Sequence, residues 1–286
     1  MLKLTDLKTL KKLLEPIGFN FKKSLGQNFL IDDSVCPRMA EICNCQDIGV
    51  IEIGPGAGVL TQQLALRAKK VVCIEIDKRL ESILDKTLCE FNNVKIIFDD
   101  FNNIDMHNLI KTEFENMDVV ICANLPYYLT SPIIMSILEN QLNIKNITVM
   151  IQKEAAVRLC AELGTRDCSA VTACVRYYSH PQLQFEVLRD CFFPSPNVDS
   201  QIIKLEIKST PGFNELDKNT FFKVVKAAFS MRRKNILNCL SNGLKIDKNV
   251  ISRILNEINL NANLRAENLT KEDFVLLADK IFTEGL

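Results

Sequence analysis

Val50-Ile51-Glu52-Ile53-Gly54-Pro55-Gly56-Ala57-Gly58 is the stretch on which the fold turns. An apolar, β-rich run feeds straight into a glycine turn, and Leu60–Ala68 beyond it has apolar residues at helical spacing. Glycines at such a junction allow a sharp turn and a close approach of backbone to a ligand. Working outward, strand candidates recur at 50–54, 71–76, 94–98, 118–123 and 147–151, with helical patterns at Leu80–Glu90 and Pro132–Leu138. Repeated β-α-β predicts an α/β fold, a doubly wound parallel sheet with right-handed crossovers.

After residue 170 the pattern changes. The segments 182–189 and 199–207 read as two more strands, with Ile203, Leu205 and Ile207 alternating on one side. They flank Phe192-Phe193-Pro194-Ser195-Pro196, a rigid aromatic loop. Ser209-Thr210-Pro211-Gly212 reads as a linker, and helical patterns follow at 218–241, 247–257 and 271–282. Thr270 suits an N-cap, with Asp273 three residues on. The expected division is therefore 1–209 for the α/β domain and 210–286 for a small, all-helical domain.

The bulk numbers agree with that plan. At 286 residues, 47% hydrophobic and 24% charged, the chain can bury a substantial core. It contains no run of about eighteen uncharged apolar residues, so no transmembrane helix is expected. Met1-Leu2-Lys3-Leu4-Thr5-Asp6 is charged and lacks a signal-peptide core, which predicts a cytoplasmic protein. The eleven cysteines are scattered, odd in number and without a C-x-x-C pair, and the two histidines, His107 and His180, lie far apart. Neither a disulfide framework nor a metal site is expected. Monomer is the default.

Formal net charge is zero, but its distribution is uneven. Residues 1–30 hold six Lys against Asp6 and Glu15. Residues 221–245 hold Lys223, Lys226, Arg232, Arg233, Lys234 and Lys245 with no acid, while 71–120 hold eleven acids against five bases. A basic face for nucleic acid and ordinary solvated helix surfaces fit this distribution equally.

Two ligand classes fit a glycine turn with a distal acid. Glu75 ends the next strand in Ile74-Glu75-Ile76-Asp77, where a carboxylate can accept both ribose hydroxyls of a nucleoside. Asp100 follows the third strand, with Phe101 beside it, and can accept from an adenine amine. The dinucleotide fingerprint wants its third glycine three positions after the second, whereas Gly58 comes two after Gly56. That spacing favours S-adenosylmethionine.

Asn124-Leu125-Pro126-Tyr127 follows the apolar run Val119–Ala123. Asn-x-Pro is also ordinary turn chemistry. Here, however, the Asn124 side-chain oxygen and the Leu125 carbonyl can each accept one N–H of an exocyclic amine. Holding both hydrogens localises the amine lone pair, which adenine otherwise delocalises into its ring, and Tyr127 can stack on the base. The residues read as an adenine-N6 methyltransferase.

These motifs together resemble the S-adenosylmethionine-dependent rRNA adenine N6,N6-dimethyltransferases, most closely the bacterial small-subunit type linked to kasugamycin resistance. The resemblance covers Lys23-Ser24-Leu25-Gly26-Gln27-Asn28-Phe29-Leu30, the glycine loop, Glu75, Asp100 and Asn124–Tyr127. It continues through Gln152-Lys153-Glu154, Phe192 to Ser200, Phe229 to Asn235 and Arg265-Ala266-Glu267-Asn268. It implies a Rossmann-like class I methyltransferase sheet of seven strands, the last antiparallel. It also implies that Asn28 and Leu30 close over the cofactor, Gly54 lines its methionine end, Glu75 binds its ribose and Asp100 its adenine. Asn124 would bridge cofactor and base, with Tyr127 and Phe192 sandwiching a flipped adenine. The implied substrate is two adjacent adenosines in a hairpin loop near the 3′ end of small-subunit (16S) rRNA, each dimethylated during ribosome biogenesis. The implied partner is that rRNA or the pre-ribosomal small subunit. A loop adenine costs little to flip. The family is often basic, in contrast to this chain's pI near 6.7. Three rivals stand beside this reading: the related large-subunit methyltransferase, which usually carries Asn-Ile-Pro-Tyr, a non-catalytic assembly factor, and a nicotinamide oxidoreductase.

Overall fold

β-branched and aliphatic residues crowd the short runs between 49 and 152, and a strand buried on both faces is the arrangement that hides such runs completely. The computed structural model describes residues 2–18 and 28–286. Lys23–Gln27, together with Lys22, lie outside the described residues.

The chain begins with α1 (Leu7–Leu14), then a two-residue strand β1 (Phe29–Leu30) and α2 (Val35–Ile42). The doubly wound part follows: β2 (Gly49–Ile53), α3 (Val59–Ala65), β3 (Lys70–Glu75), α4 (Glu81–Thr87), β4 (Val94–Phe98), α5 (Met106–Phe114), β5 (Val119–Asn124), α6 (Thr130–Glu139) and β6 (Asn146–Gln152). Next come α7 (Lys153–Cys160), α8 (Ala170–Tyr178), β7 (Ser179–Val187), β8 (Phe192–Phe193) and β9 (Ser200–Ile207). The C-terminal helices are α9 (Lys218–Ala228), α10 (Ile236–Leu244), α11 (Lys248–Glu257) and α12 (Lys271–Thr283).

Seven strands form one sheet in the order β4-β3-β2-β5-β6-β9-β7. Pairings from β4 through β6 are parallel, and β9, last in the chain, runs antiparallel to β6 with Gln152 opposite Ser200. This is the expected sheet. The order reverses between β2 and β5, because the chain winds outward to β4 and then returns to the other side of β2. Open α/β sheets bind ligands at the carboxyl ends of strands flanking such a reversal.

β2 is buried at all five positions, whereas edge strand β4 is mostly half-buried. Cys36, Cys43, Cys45, Cys73 and Cys122 share one apolar cluster with Val50, Leu64 and Val120. Burial pushes the Cys36 thiol above its ordinary range, as a small hydrophobe in a packed interior would be. On α1, Leu10 and Leu14 bury against Phe29, Ala57, Leu80 and Leu84.

Contacts divide the chain into two units, Met1–Ala156 with Gln182–Ile207, and Val157–Pro181 with Lys208–Leu286. The second unit resumes at Lys208, next to the stretch read as a linker, and it also takes in Val157–Pro181. The reason is local to that unit: Lys208 N–H donates to Tyr178 O, Gly212 N–H to Tyr177 O, and Tyr177 packs edge-on against Phe213. Within it, the helical pattern read over 218–241 is two helices. The backbone turns over Met231–Lys234, and Asn235 accepts the Asn238 N–H to cap α10. Thr270 caps α12 in a reciprocal box with Asp273.

Candidate active site

Gly54, Gly56 and Gly58 all take positive φ, at 70°, 60° and 91°. A Cβ on Gly54 would meet nothing within 4 Å, so the space it fronts is open. A Cβ on Gly56 would lie 3.3 Å from the Phe29 ring, which packs over the turn. The Gly54 N–H donates to Ile74 O at 2.9 Å, tying the turn to β3. Left-handed backbone of this kind favours glycine.

Beside the turn, Glu75 ends β3 and is 5% exposed. Its Oε2 accepts the Gly56 N–H at 3.2 Å and its Oε1 the Asp77 N–H at 2.8 Å. Burial raises its pKa, and those two backbone donors work against the rise. A carboxylate has about four lone-pair sites, so acceptor capacity remains for an incoming hydroxyl.

Across the strand-order reversal, Asn124 ends β5. The Leu125 N–H donates to Met150 O at 3.1 Å, and the Leu125 side chain is buried. This pins the Asn-Leu-Pro-Tyr loop to the end of β6. The Tyr127 hydroxyl sits 2.8 Å from Ser200 Oγ at the start of β9, and burial raises the phenol pKa, so the hydroxyl stays protonated. Opposite, β1 and β8 form a small antiparallel pair with Leu30 facing Phe192 and Phe29 facing Phe193. Residues far apart in sequence thus become neighbours.

A single cavity is lined by Asn28, Leu30, Gly54, Glu75, Asn124, Leu125, Tyr127 and Phe192. Every candidate residue from the sequence is among them except Asp100. Asp100 follows β4, but its carboxylate accepts the backbone and side-chain N–H groups of Asn102, each at 2.9 Å, and it does not line the cavity. The cavity wall also includes Glu52, which the sequence reading quoted without giving it a role. Glu52 is 1% exposed, Cys73 Sγ donates to it, and burial pushes its pKa up to about 8. Its signal was legible as a carboxylate inside Val50-Ile51-Glu52-Ile53. Ser200 had no such signal, since a serine at a strand start is unremarkable until Tyr127 is seen against it.

This donor set suits a nucleoside-bearing cofactor: an open cradle at Gly54, a buried carboxylate at Glu75 and apolar walls from Leu30 and Phe29. Such a cradle at the reversal of a seven-stranded sheet with an antiparallel last strand is the arrangement of the Rossmann-like methyltransferases. Sequence comparison narrows the class. The chain belongs to the ribosomal RNA adenine dimethylase family, whose model matches residues 18–282. It is 45% identical over 276 residues to a ribosomal RNA small subunit methyltransferase A from Geobacillus sp. (strain WCH70), covering 95% of each chain. It is 43% identical over 281 residues to the same-named protein of Bacillus mycoides (strain KBAB4), covering 96% of each. Among solved structures, a dimethyladenosine transferase from Plasmodium falciparum superposes with a TM-score of 0.73 at 26% identity, over 90% of this chain and 98% of that one. The 23S rRNA methyltransferase ErmE superposes with a TM-score of 0.69, also at 26% identity, over 89% and 100%. The chain is a methyltransferase enzyme that acts on ribosomal RNA adenine. The oxidoreductase and non-catalytic readings fall away.

Proposed function

We propose that this protein transfers methyl groups from S-adenosylmethionine to N6 of two adjacent adenosines in a hairpin loop near the 3′ end of small-subunit rRNA, dimethylating each during ribosome biogenesis. The observation that carries the proposal is a shared cavity: the glycine cradle with Glu75 and the Asn124–Tyr127 acceptor loop open into the same space. The small-subunit names of the relatives at 43–45% identity favour that rRNA over the large-subunit target of the 26% identical ErmE.

S-adenosylmethionine, when bound, supplies a methyl group on a positively charged sulfur. The protein's own work is binding, orientation and amine activation. Glu75 holds the ribose and Gly54 lines the methionine end. Asn28 and Leu30 close over the cofactor, and Asp100 is assigned to its adenine by resemblance, from outside the cavity wall. The Asn124 carboxamide oxygen and Leu125 carbonyl accept the two N6–H bonds of the unmethylated amine, which returns lone-pair density to nitrogen, and one N–H remains to be held for the second transfer. Tyr127 and Phe192 hold the flipped base between them. Placement of the reacting atoms then supplies most of the rate, and no imidazole base is needed.

The site lies within residues 1–209, the methyltransferase domain in this reading, with 210–286 as a helical C-terminal domain. Among the described residues no helix is long and apolar enough to cross a membrane, and no group of His, Cys, Asp and Glu could hold a metal. We place the enzyme in the cytoplasm as a monomer acting on small-subunit rRNA or its pre-ribosomal particle. Mass spectrometry of small-subunit rRNA from cells lacking the protein tests the reading. Missing dimethyladenosine, restored by the purified protein and S-adenosylmethionine, is expected. Unchanged small-subunit rRNA with loss of dimethyladenosine in the large subunit overturns it.

A further inference from the structure

Asp199 and Ser200 stand side by side at the entry to β9, and each reaches a different wall of the base pocket. Ser200 is fully buried, with its Oγ 2.8 Å from the Tyr127 hydroxyl. Asp199 Oδ1 accepts the Arg189 N–H at 2.9 Å, three residues ahead of Phe192. The Asp199 carbonyl accepts the Lys153 N–H at 3.0 Å, just past the end of β6, where Gln152 pairs with Ser200. Met150, two residues earlier on β6, takes the Leu125 N–H. Both aromatic walls and the acceptor loop therefore hang from one corner where β5, β6 and β9 meet.

Tyr127 needs that support. It begins a single 3-10 turn, Tyr127–Leu129, and is only half-buried, so packing holds its ring less firmly than a core side chain. A hydroxyl bond to a buried strand residue removes that freedom at the far end of the ring. We propose that Ser200 is a positioning residue for methyl transfer: it fixes the Tyr127 ring against the target base, while Asp199 anchors the opposite wall that carries Phe192. The proposal rests on reading Tyr127 and Phe192 as the walls that hold the base. A misaligned stacking surface displaces N6 from the methyl donor, which lowers turnover more than binding.

Tyr127→Phe and Ser200→Ala each delete one side of the bond and keep the ring. Assayed on undermethylated small ribosomal subunits, each is expected to lower kcat about threefold to tenfold, the effect of one lost hydrogen bond. KM for the subunit and the affinity for S-adenosylmethionine should hold within about twofold, and the double variant should be no slower than either single, because both remove the same interaction. Multiplying losses in the double variant, or wild-type kcat in either single, overturns the proposal. If Ser200→Ala does not fold, Tyr127→Phe decides alone on the same kcat criterion. Tyr127→Ala is the separate arm for the underlying reading. Its full turnover means the ring does not hold the base at all, whereas an inactive Tyr127→Ala beside a wild-type Tyr127→Phe overturns only the positioning role.

Discussion

Asn124→Ala removes the side-chain acceptor at the end of β5 while leaving the Leu125–Met150 bond that shapes the loop. Methyl transfer should fall by at least about a hundredfold, as when one group that meets developing charge is deleted, with the melting temperature unchanged. Near-normal transfer of labelled methyl groups by the purified variant would refute the amine-activation argument. Glu75→Ala deletes a buried acceptor, so affinity for S-adenosylmethionine should drop about tenfold to a hundredfold, from roughly 1.5–3 kcal/mol. Calorimetric titration measures it, and unchanged affinity removes Glu75 from the site. Glu52 makes a pH prediction. Its folded pKa is raised from 4.5 to about 8 by burial, so between those values the folded protein holds a proton that the unfolded chain releases. Raising the pH through that window therefore favours unfolding, each tenfold difference in proton affinity being worth about 1.4 kcal/mol, until the loss is complete above the folded pKa. Denaturant unfolding at pH 5.5 and 8.5 should show a decline in the wild type that Glu52→Gln largely lacks. Equal declines would mean Glu52 ionises normally.

Between elements, close packing makes its own demands. Gly243 on α10 faces α9 so closely that a Cβ there would sit 2.6 Å from Ala227 Cβ and 2.8 Å from Ala227 Cα. Gly243→Ala gains roughly 1 kcal/mol of helix propensity. Backbone on the other side cannot yield cheaply, and overpacking costs about 1–3 kcal/mol. A lower melting temperature with unchanged cofactor affinity is expected, and a stabilised variant would contradict the tight α9–α10 contact. The same pair shows where pattern reading ran short. Phe222, Val225, Phe229, Ile236 and Leu240 keep near-helical spacing across the turn, so periodicity alone joined two helices that Met231–Lys234 and the Asn235 cap separate. Strands fared better, because each buried run of the sheet is contiguous in sequence.

Across the molecule, RNA affinity depends on where charge is displayed. Arg232, Arg233 and Lys234 lie exposed in the α9–α10 turn, where consecutive cations can point outward together as they could not on one helix face. Arg232→Ala/Arg233→Ala should make the log–log salt dependence of small-subunit binding shallower by about 0.7 per lost phosphate contact, with cofactor affinity as the control. An unchanged slope and affinity would make these arginines a solvated surface. Glycine turns, apolar runs and caps such as Thr270 were determined by the sequence itself, since each is a property of a few adjacent residues. The site was half legible for the same reason: Gly54, Glu75 and Asn124 sit at strand ends that periodicity locates. Only tertiary structure decided that β9 inserts beside β6, that Leu30 meets Phe192 and that Ser200 reaches Tyr127. Those facts pair residues far apart in the chain, and that pairing is made by the packing of the whole sheet, which no local pattern contains.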